Sequence, residues 1–227
     1  MGEYKKSQET RTKIIDACRT LFWENGYFGT TNRLIAGVSG VQESLISYHF
    51  QTKEKLAMLI YQEFSENLIE ASKRILCEQG IDNVVVENSL SGSIGWKLLE
   101  LSVPFNRFYY EISKVRIPVK NIEERQADTL YYKNLGNYFS AGLSDMDSRI
   151  LSLLLVAAEN ELIIAKVENI IDISYDEIAR RDIVHSLSMM KIDYQTINNI
   201  VDIVQDIGSR YELKMVKDFK IRIKKRL

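Results

Sequence analysis

Two prolines (Pro104, Pro118), two cysteines (Cys18, Cys77) and two histidines (His49, His185) are spread through 227 residues. So few prolines, with only eleven glycines, disfavour a turn-rich β sandwich and leave room for long helices. Two cysteines within helical patterns make no disulfide framework. With two distant histidines they make no zinc cluster either, so no metal is expected and a reducing cytoplasm follows. Long apolar runs are also missing. The greasiest stretch, Ile150 to Val167, is broken by Glu159, Asn160 and Glu161, whereas a membrane span needs ~20 apolar residues. The opening MGEYKKSQETRTK lacks the apolar segment of a signal sequence. Neither sign of charge prevails: 30 Lys and Arg stand against 31 Asp and Glu, a net charge of −1. That balance excludes a protein that coats DNA by bulk electrostatics, so any nucleic-acid contact is local. A GxSxG elbow, a phosphate-cradling glycine loop, an HExxH pair and a CxxC are all absent. Glu100 and Glu111, on one helical stretch, read as surface charge. Neither an enzyme nor a cofactor is expected.

What is present is helical periodicity. Ile14, Ile15, Cys18, Leu21 and Phe22 predict an amphipathic helix from about Thr10 to Asn25, ended by Gly26 in a left-handed turn. Thr30 or Thr31 can cap a second helix, whose inner face is Ile35, Ala36 and Val38. Gly40 turns the chain into a third helix resting on Val41, Leu45 and Ile46. A fourth starts near Thr52 and runs past Phe64, with Leu56, Leu59, Ile60, Phe64, Leu68 and Ile69 on one side. Beyond Gly80, Ser91 to Gly95 reads as a loop, and Trp96 to Ser113 as a helix that Pro104 kinks or divides. Further helices follow over about 121–140 and from a cap at Asp145 or Asp147 to Asn169. Between Ile150 and Val156 the latter is apolar almost all round, which predicts burial on more than one side. Asp176 to Met190 and Thr196 to Ile223, broken near Gly208, complete an all-α reading. The basic end (Lys214, Lys217, Lys220, Arg222, Lys224, Lys225, Arg226) reads chiefly as a solvated terminus, with a DNA or membrane contact as the other reading.

A helix-turn-helix needs an alanine-sized residue where its helices cross and a glycine about four positions on; Ala36 and Gly40 meet that need. An outer face of Gln42, Glu43, Ser44, Ser47 and Tyr48 is then left on a helix too short to stand without packing. The stretch TTNRLIAGVSGVQESLISYHFQTKEKL, Thr30 to Leu56, resembles the DNA-binding headpiece of the tetracycline-repressor (TetR) family of bacterial transcriptional regulators. The resemblance is carried by Thr30-Thr31, Ile35-Ala36, Gly40-Val41, Tyr48-His49-Phe50, Lys53-Glu54 and Leu56, and upstream by Ala17, Leu21, Phe22, Gly26 and Tyr27. It spans about Thr10 to Leu59. Gly37, Glu43, Leu45 and Ser47 depart from the family's usual residues.

The resemblance implies a three-helix DNA-binding headpiece over 1–56, with the helix-turn-helix at about 31–50, and a helical effector-binding and dimerisation domain over 57–227. No Lys or Arg lies between Arg33 and Lys53, so affinity and base reading must come from different residues. By resemblance, Thr30 or Thr31, Tyr48, His49 and Lys53 grip the backbone of a double-stranded DNA operator. Gln42 suits adenine, Glu43 the cytosine amino group, and Ser44 and Ser47 several bases. Leu45 is either buried or against a thymine methyl. A homodimer is implied, with Ser148 to Glu168 and Thr196 to Ile207 as candidate pairing helices or, equally simply, internal core. A small-molecule effector is implied too. Trp96, Phe105, Phe108, Tyr109 and Tyr132 are its candidate contacts, although aromatics at helical spacing also build plain core. The competing reading is a helical adaptor that keeps the fold without binding DNA sequence-specifically.

Overall fold

A computed structural model of the chain describes residues 2–120, 133–139 and 142–226. Four helices open the chain: α1 (Gly2–Asn25), α2 (Asn32–Ser39), α3 (Glu43–Phe50) and α4 (Lys53–Glu78). Next come α5 (Val84–Leu101), α6 (Val103–Lys114) and the single turn α7 (Ile117–Lys120). Residues 133–138 are helical. Then follow α8 (Asp145–Val167), α9 (Tyr175–Met189), α10 (Tyr194–Ser209) and an antiparallel hairpin of β1 (Tyr211–Val216) and β2 (Lys220–Lys225).

The first three helices form near where the sequence places them, although Val38, expected on the inner face of α2, is exposed. α1 starts eight residues before the expected Thr10, at Gly2. It ends at Gly26, whose φ of +73° is a conformation only glycine takes without strain. Thr31 caps α2 by accepting the Leu34 N–H at 3.2 Å, and Gly40 (φ +67°) ends it by donating to the Ala36 carbonyl. Ile14, Cys18, Phe22, Ile35, Ile46 and Phe50 fill the space between α1, α2 and α3. α4 seals this core from below with Leu56, Ala57 and Ile60. It then continues unbroken to Glu78, so the headpiece's last helix is also the larger part's first. The Arg19 guanidinium grips the Glu63 carboxylate through both oxygens (2.7–3.0 Å), tying α1 to α4. Gly37, exposed in α2, would meet nothing within 4 Å if it carried a methyl. Gly37→Ala is therefore expected to raise the DNA-free protein's stability by about 0.5–1 kcal/mol, read as a higher denaturant midpoint.

Four expectations for the larger part need correction. The Ser- and Gly-rich stretch 91–95 is not a loop but the middle of α5, which Asn83 caps through Val85 and Val86 N–H. Its small residues serve close packing: a methyl on Gly95 would touch Leu68 at 3.4 Å, and one on Gly92 would approach the Asp182 carboxylate. The Thr196 to Ile223 helix ends at Ser209 instead, and the β-branched alternation after it pairs as a hairpin. Its inner face (Tyr211, Met215, Phe219) is buried and its outer face carries Lys214, Lys220, Arg222 and Lys224. The basic end is thus a docked ribbon rather than a fraying tail. Finally, α8 is buried on one side only: Leu151, Leu155 and Val156 are inside, while Ile150, Leu153 and Leu154 are exposed on the single chain. Its cap is Ser144, with Asp147 completing a capping box. Pro104 does divide its stretch, falling in the first turn of α6 behind the Ser102 cap. The helix expected over 121–140 lies mostly outside the described residues.

Candidate nucleic-acid interface and cavity

α3 turns Ile46 and Phe50 inward and leaves Gln42, Glu43, Ser44, Leu45, Ser47 and Tyr48 exposed. Leu45 therefore belongs to the outer face. Gln42 occupies the cap position without using its side chain there, which leaves the amide outward. Tyr48 is the most exposed large side chain of the face, at 78%, and His49 is half-buried with its ring edge-on to Tyr48. Arg11 donates to the His49 carbonyl at 3.1 Å and lies over the Phe50 ring, closing the C-terminal end of α3 with a cation.

Around this helix two expected backbone contacts change role. Thr30 is fully buried and its hydroxyl donates to the Gly26 carbonyl at 2.7 Å, so it shapes the turn and cannot face DNA; Thr31 is the exposed member of the pair. The half-buried Lys53 donates to the carbonyls of Tyr27 (2.9 Å) and Thr30 (2.8 Å), with its ammonium 4.0 Å from the centre of the Tyr27 ring. Burial lowers its pKa, against the pull of the Glu54 and Glu111 carboxylates. Lys53 thus works one step back from the surface. It pins the start of α4 beside the start of α2, so that two helix N-termini, capped by Thr31 and Thr52, lie side by side. Such ends favour phosphate. Sequence reasoning passed over Arg33 and Lys55, which stand exposed in the first turns of these helices; basic residues at two capped helix starts were the available signal.

The headpiece is held to the rest by α6. Arg107 donates to the carbonyls of Trp23 (2.9 Å) and Glu24 (2.8 Å), which the end of α1 leaves open. Glu111, read from sequence as surface charge, is buried and accepts the Phe28 N–H at 2.8 Å. The opposite side of α6 lines a cavity of about 220 Å³ among α4, α5, α8 and α9. Of the expected ligand contacts, Trp96, Phe105 and Tyr109 line it. Phe108 does not: it packs on Phe22 and Phe219, because it points from α6 toward α1 and the hairpin. Tyr132 lies outside the described residues. Tyr61, Phe64, Glu87, Glu159 and Asp182 also line the wall. Phe64 belongs to the inner face of α4 expected from the sequence, Tyr61 does not, and nothing in the sequence separated these acids from surface charge.

Residues 14–58 match the family model described as bacterial regulatory proteins, tetR family. The HTH-type transcriptional regulator QacR of Staphylococcus aureus is 26% identical over 125 residues, 53% of this chain and 66% of the relative. The HTH-type transcriptional repressor KstR2 of Rhodococcus jostii is 33% identical over 73 residues, 32% of this chain and 35% of the relative. The alignments thus span between about a third and two thirds of these relatives' lengths. The solved structure of RolR without ligand matches at a TM-score of 0.52 and 14% identity, over 84% of this chain and 96% of that one. The fatty acid degradation regulator FadR from Bacillus halodurans matches at 0.50 and 14%, over 79% and 97%. The fold is therefore that of an N-terminal helix-turn-helix on a helical C-terminal domain. Headpiece motif, family match and shared fold agree: residues 14–58 form a headpiece of the tetR family of bacterial regulatory proteins.

Proposed function

We propose that this protein is a DNA-binding transcriptional regulator, a cytoplasmic homodimer that represses from a palindromic operator and leaves it when a small molecule fills the internal cavity. The observation that carries the reading is the division of labour around α3. An outer face without Lys or Arg, Gln42, Glu43, Ser44 and Ser47, is flanked by Thr31, Tyr48, Arg33, Lys55 and two helix N-termini. Base edges are read by the first set, and phosphates position the helix through the second. No chemical step is assigned to the chain.

Band-shift titrations against salt test this. Tyr48→Ala weakens binding to every site alike. Gln42→Ala costs about 1–3 kcal/mol of discrimination at one base pair and leaves non-specific binding unchanged. If Gln42→Ala and Tyr48→Ala both bind every fragment as the unaltered protein does, the face is not a reader and the adaptor reading takes its place.

Pairing is proposed through α8, whose exposed Met146, Ile150, Leu153 and Leu154 form one stripe at helical spacing. α10 turns Ile197, Ile200, Val201, Val204 and Ile207 into its own chain and offers Tyr194 and Ile203 outward. Leu154→Glu is expected to shift sedimentation from dimer to monomer and to weaken operator binding, because a single headpiece covers only one half-site. A variant that still sediments as a dimer removes the stripe from the interface. Within the dimer, an effector that binds one spacing of the headpieces better than the other shifts the bound population by that difference in affinity.

A further inference from the structure

The chemistry of the cavity wall narrows the class of molecule it takes. Every charged group lining it among the described residues is an acid: Glu87 on α5, Glu159 on α8 and Asp182 on α9. The rest of the wall is apolar or carries neutral hydroxyls and amides. Three helices thus bring half-buried carboxylates to one aromatic-lined space. Glu87 shares its charge with Lys73, 3.8 Å away and not part of the wall. Asp182 is held differently. Its Oδ2 accepts the Trp96 indole N–H at 3.1 Å, which places a carboxylate next to the ring with the strongest attraction for a cation. Burial pushes the Asp182 carboxyl up, and the Trp96 hydrogen bond and nearby His185 only partly offset it. A desolvated carboxylate beside an indole, with no lysine or arginine in the described wall, gains most from a positive charge. An anionic ligand would meet the Asp182 carboxylate with no basic side chain in the described wall to offset it. A neutral one would bury Asp182 further without compensation.

We infer that the cavity takes a compact organic cation, an ammonium group on an aromatic or alkyl body, with the charge between Asp182, Glu159 and Trp96 and the body against Phe64, Phe105 and Tyr109. The inference rests on the reading of the cavity as an effector site, and it specifies the effector's charge. At about 220 Å³ the space is smaller than the ~300–1,000 Å³ of sites for drug-sized ligands, so the body is a single ring or a short chain.

The test uses benzyltrimethylammonium, its uncharged carbon isostere neopentylbenzene and the anion 3-phenylpropanoate, each titrated into the full-length, DNA-free protein by calorimetry and by quenching of Trp96 fluorescence. The expected order is cation first, neutral body weaker, anion unbound. Asp182→Asn keeps an acceptor for the Trp96 N–H and is expected to weaken the cation about tenfold or more while leaving the neutral isostere unchanged. Glu159→Gln acts in the same direction. Binding of the neutral body or the anion as tightly as the cation overturns the inference, as does a cation insensitive to both substitutions or unbound at millimolar concentration. A parallel band shift separates the two readings. Charge-selective binding by a protein that binds no DNA sinks the regulator and keeps the cation site. Operator binding without charge selectivity does the reverse.

Discussion

Replacing Phe219 with alanine is expected to cost about 3–5 kcal/mol, the range for emptying a large aromatic site. Phe219 sits at the tip of the C-terminal hairpin, where it and Asp218 both take positive φ (59° and 61°). A bulky residue holds that conformation only when its surroundings fix it. Here they do: its ring packs on Phe108 at 4.9 Å and edge-on to Trp23 at 5.5 Å, with Phe105 behind at 6.3 Å. Around it, Thr20 donates to the Asp218 carboxylate and Lys217 pairs with Glu24. At the other end of the hairpin, Tyr211 donates to Glu78 and accepts from Gln79. The ribbon thus clasps α1 to the end of α4, and its central ring backs Phe105, which faces the cavity on its other side. Thermal melting of Phe219→Ala should fall by roughly 10 °C, with amide exchange rising in β1, β2 and the last turn of α1. Phe219→Leu, which keeps most of the volume, should cost far less. An alanine variant within about 0.5 kcal/mol of the unaltered protein would make the hairpin an ornament.

The second large effect belongs to the join between α6 and the turn after α1. A methyl on Gly26 would lie 2.6 Å from one Glu111 carboxylate oxygen and 2.8 Å from the other, at a φ of +73°. Gly26→Ala therefore adds left-handed strain of about 1–2 kcal/mol to the displacement of Glu111. Removing that carboxylate by Glu111→Ala leaves the Phe28 N–H without its acceptor, at a cost of about 1–3 kcal/mol. The two changes share one cause, so the double variant should lose less than the sum. Strict additivity in denaturant unfolding would show that Glu111 and Gly26 do not meet. Glu111→Gln, which still offers an oxygen to Phe28, should stay close to the unaltered protein. Because α6 also carries Phe105 and Tyr109 into the cavity wall, Glu111→Ala should further blunt any effect of a cavity ligand on DNA binding.

The headpiece was legible because local signals there coincide with tertiary need. Gly26 and Gly40 mark left-handed helix ends, Thr31 a cap, and Ile35, Ile46 and Phe50 a shared core. Legibility failed where tertiary contacts override local preference. Ser91 to Gly95 has the composition of a loop and becomes helix because small residues let α5 approach Leu68 and Asp182. Tyr211 to Lys225 alternates with period two, yet its strand state depends on docking against α1, α4 and α5, which no local window contains. The site divides in the same way. Tyr48 and Gln42 are exposed as their positions in α3 dictate. Thr30 and Lys53 turned inward because the carbonyls of Gly26, Tyr27 and Thr30 needed donors, a demand visible only once the turn is built. Glu111 reads as surface charge, and Asp182 draws no notice, because nothing in a helical sequence marks which acid will face a neighbouring element.

The central claim is that two copies of α3 read DNA together from a dimer paired through α8. Selection of bound sequences from a random duplex library, at low salt with the full-length protein, tests it most directly. The account predicts enrichment of an inverted repeat whose half-sites are centred about one helical turn apart, ~10 base pairs. It also predicts loss of one specified position with Gln42→Ala and loss of the repeat with Leu154→Glu. A library that emerges unenriched, or a single unrepeated site that Leu154→Glu binds equally well, would contradict it.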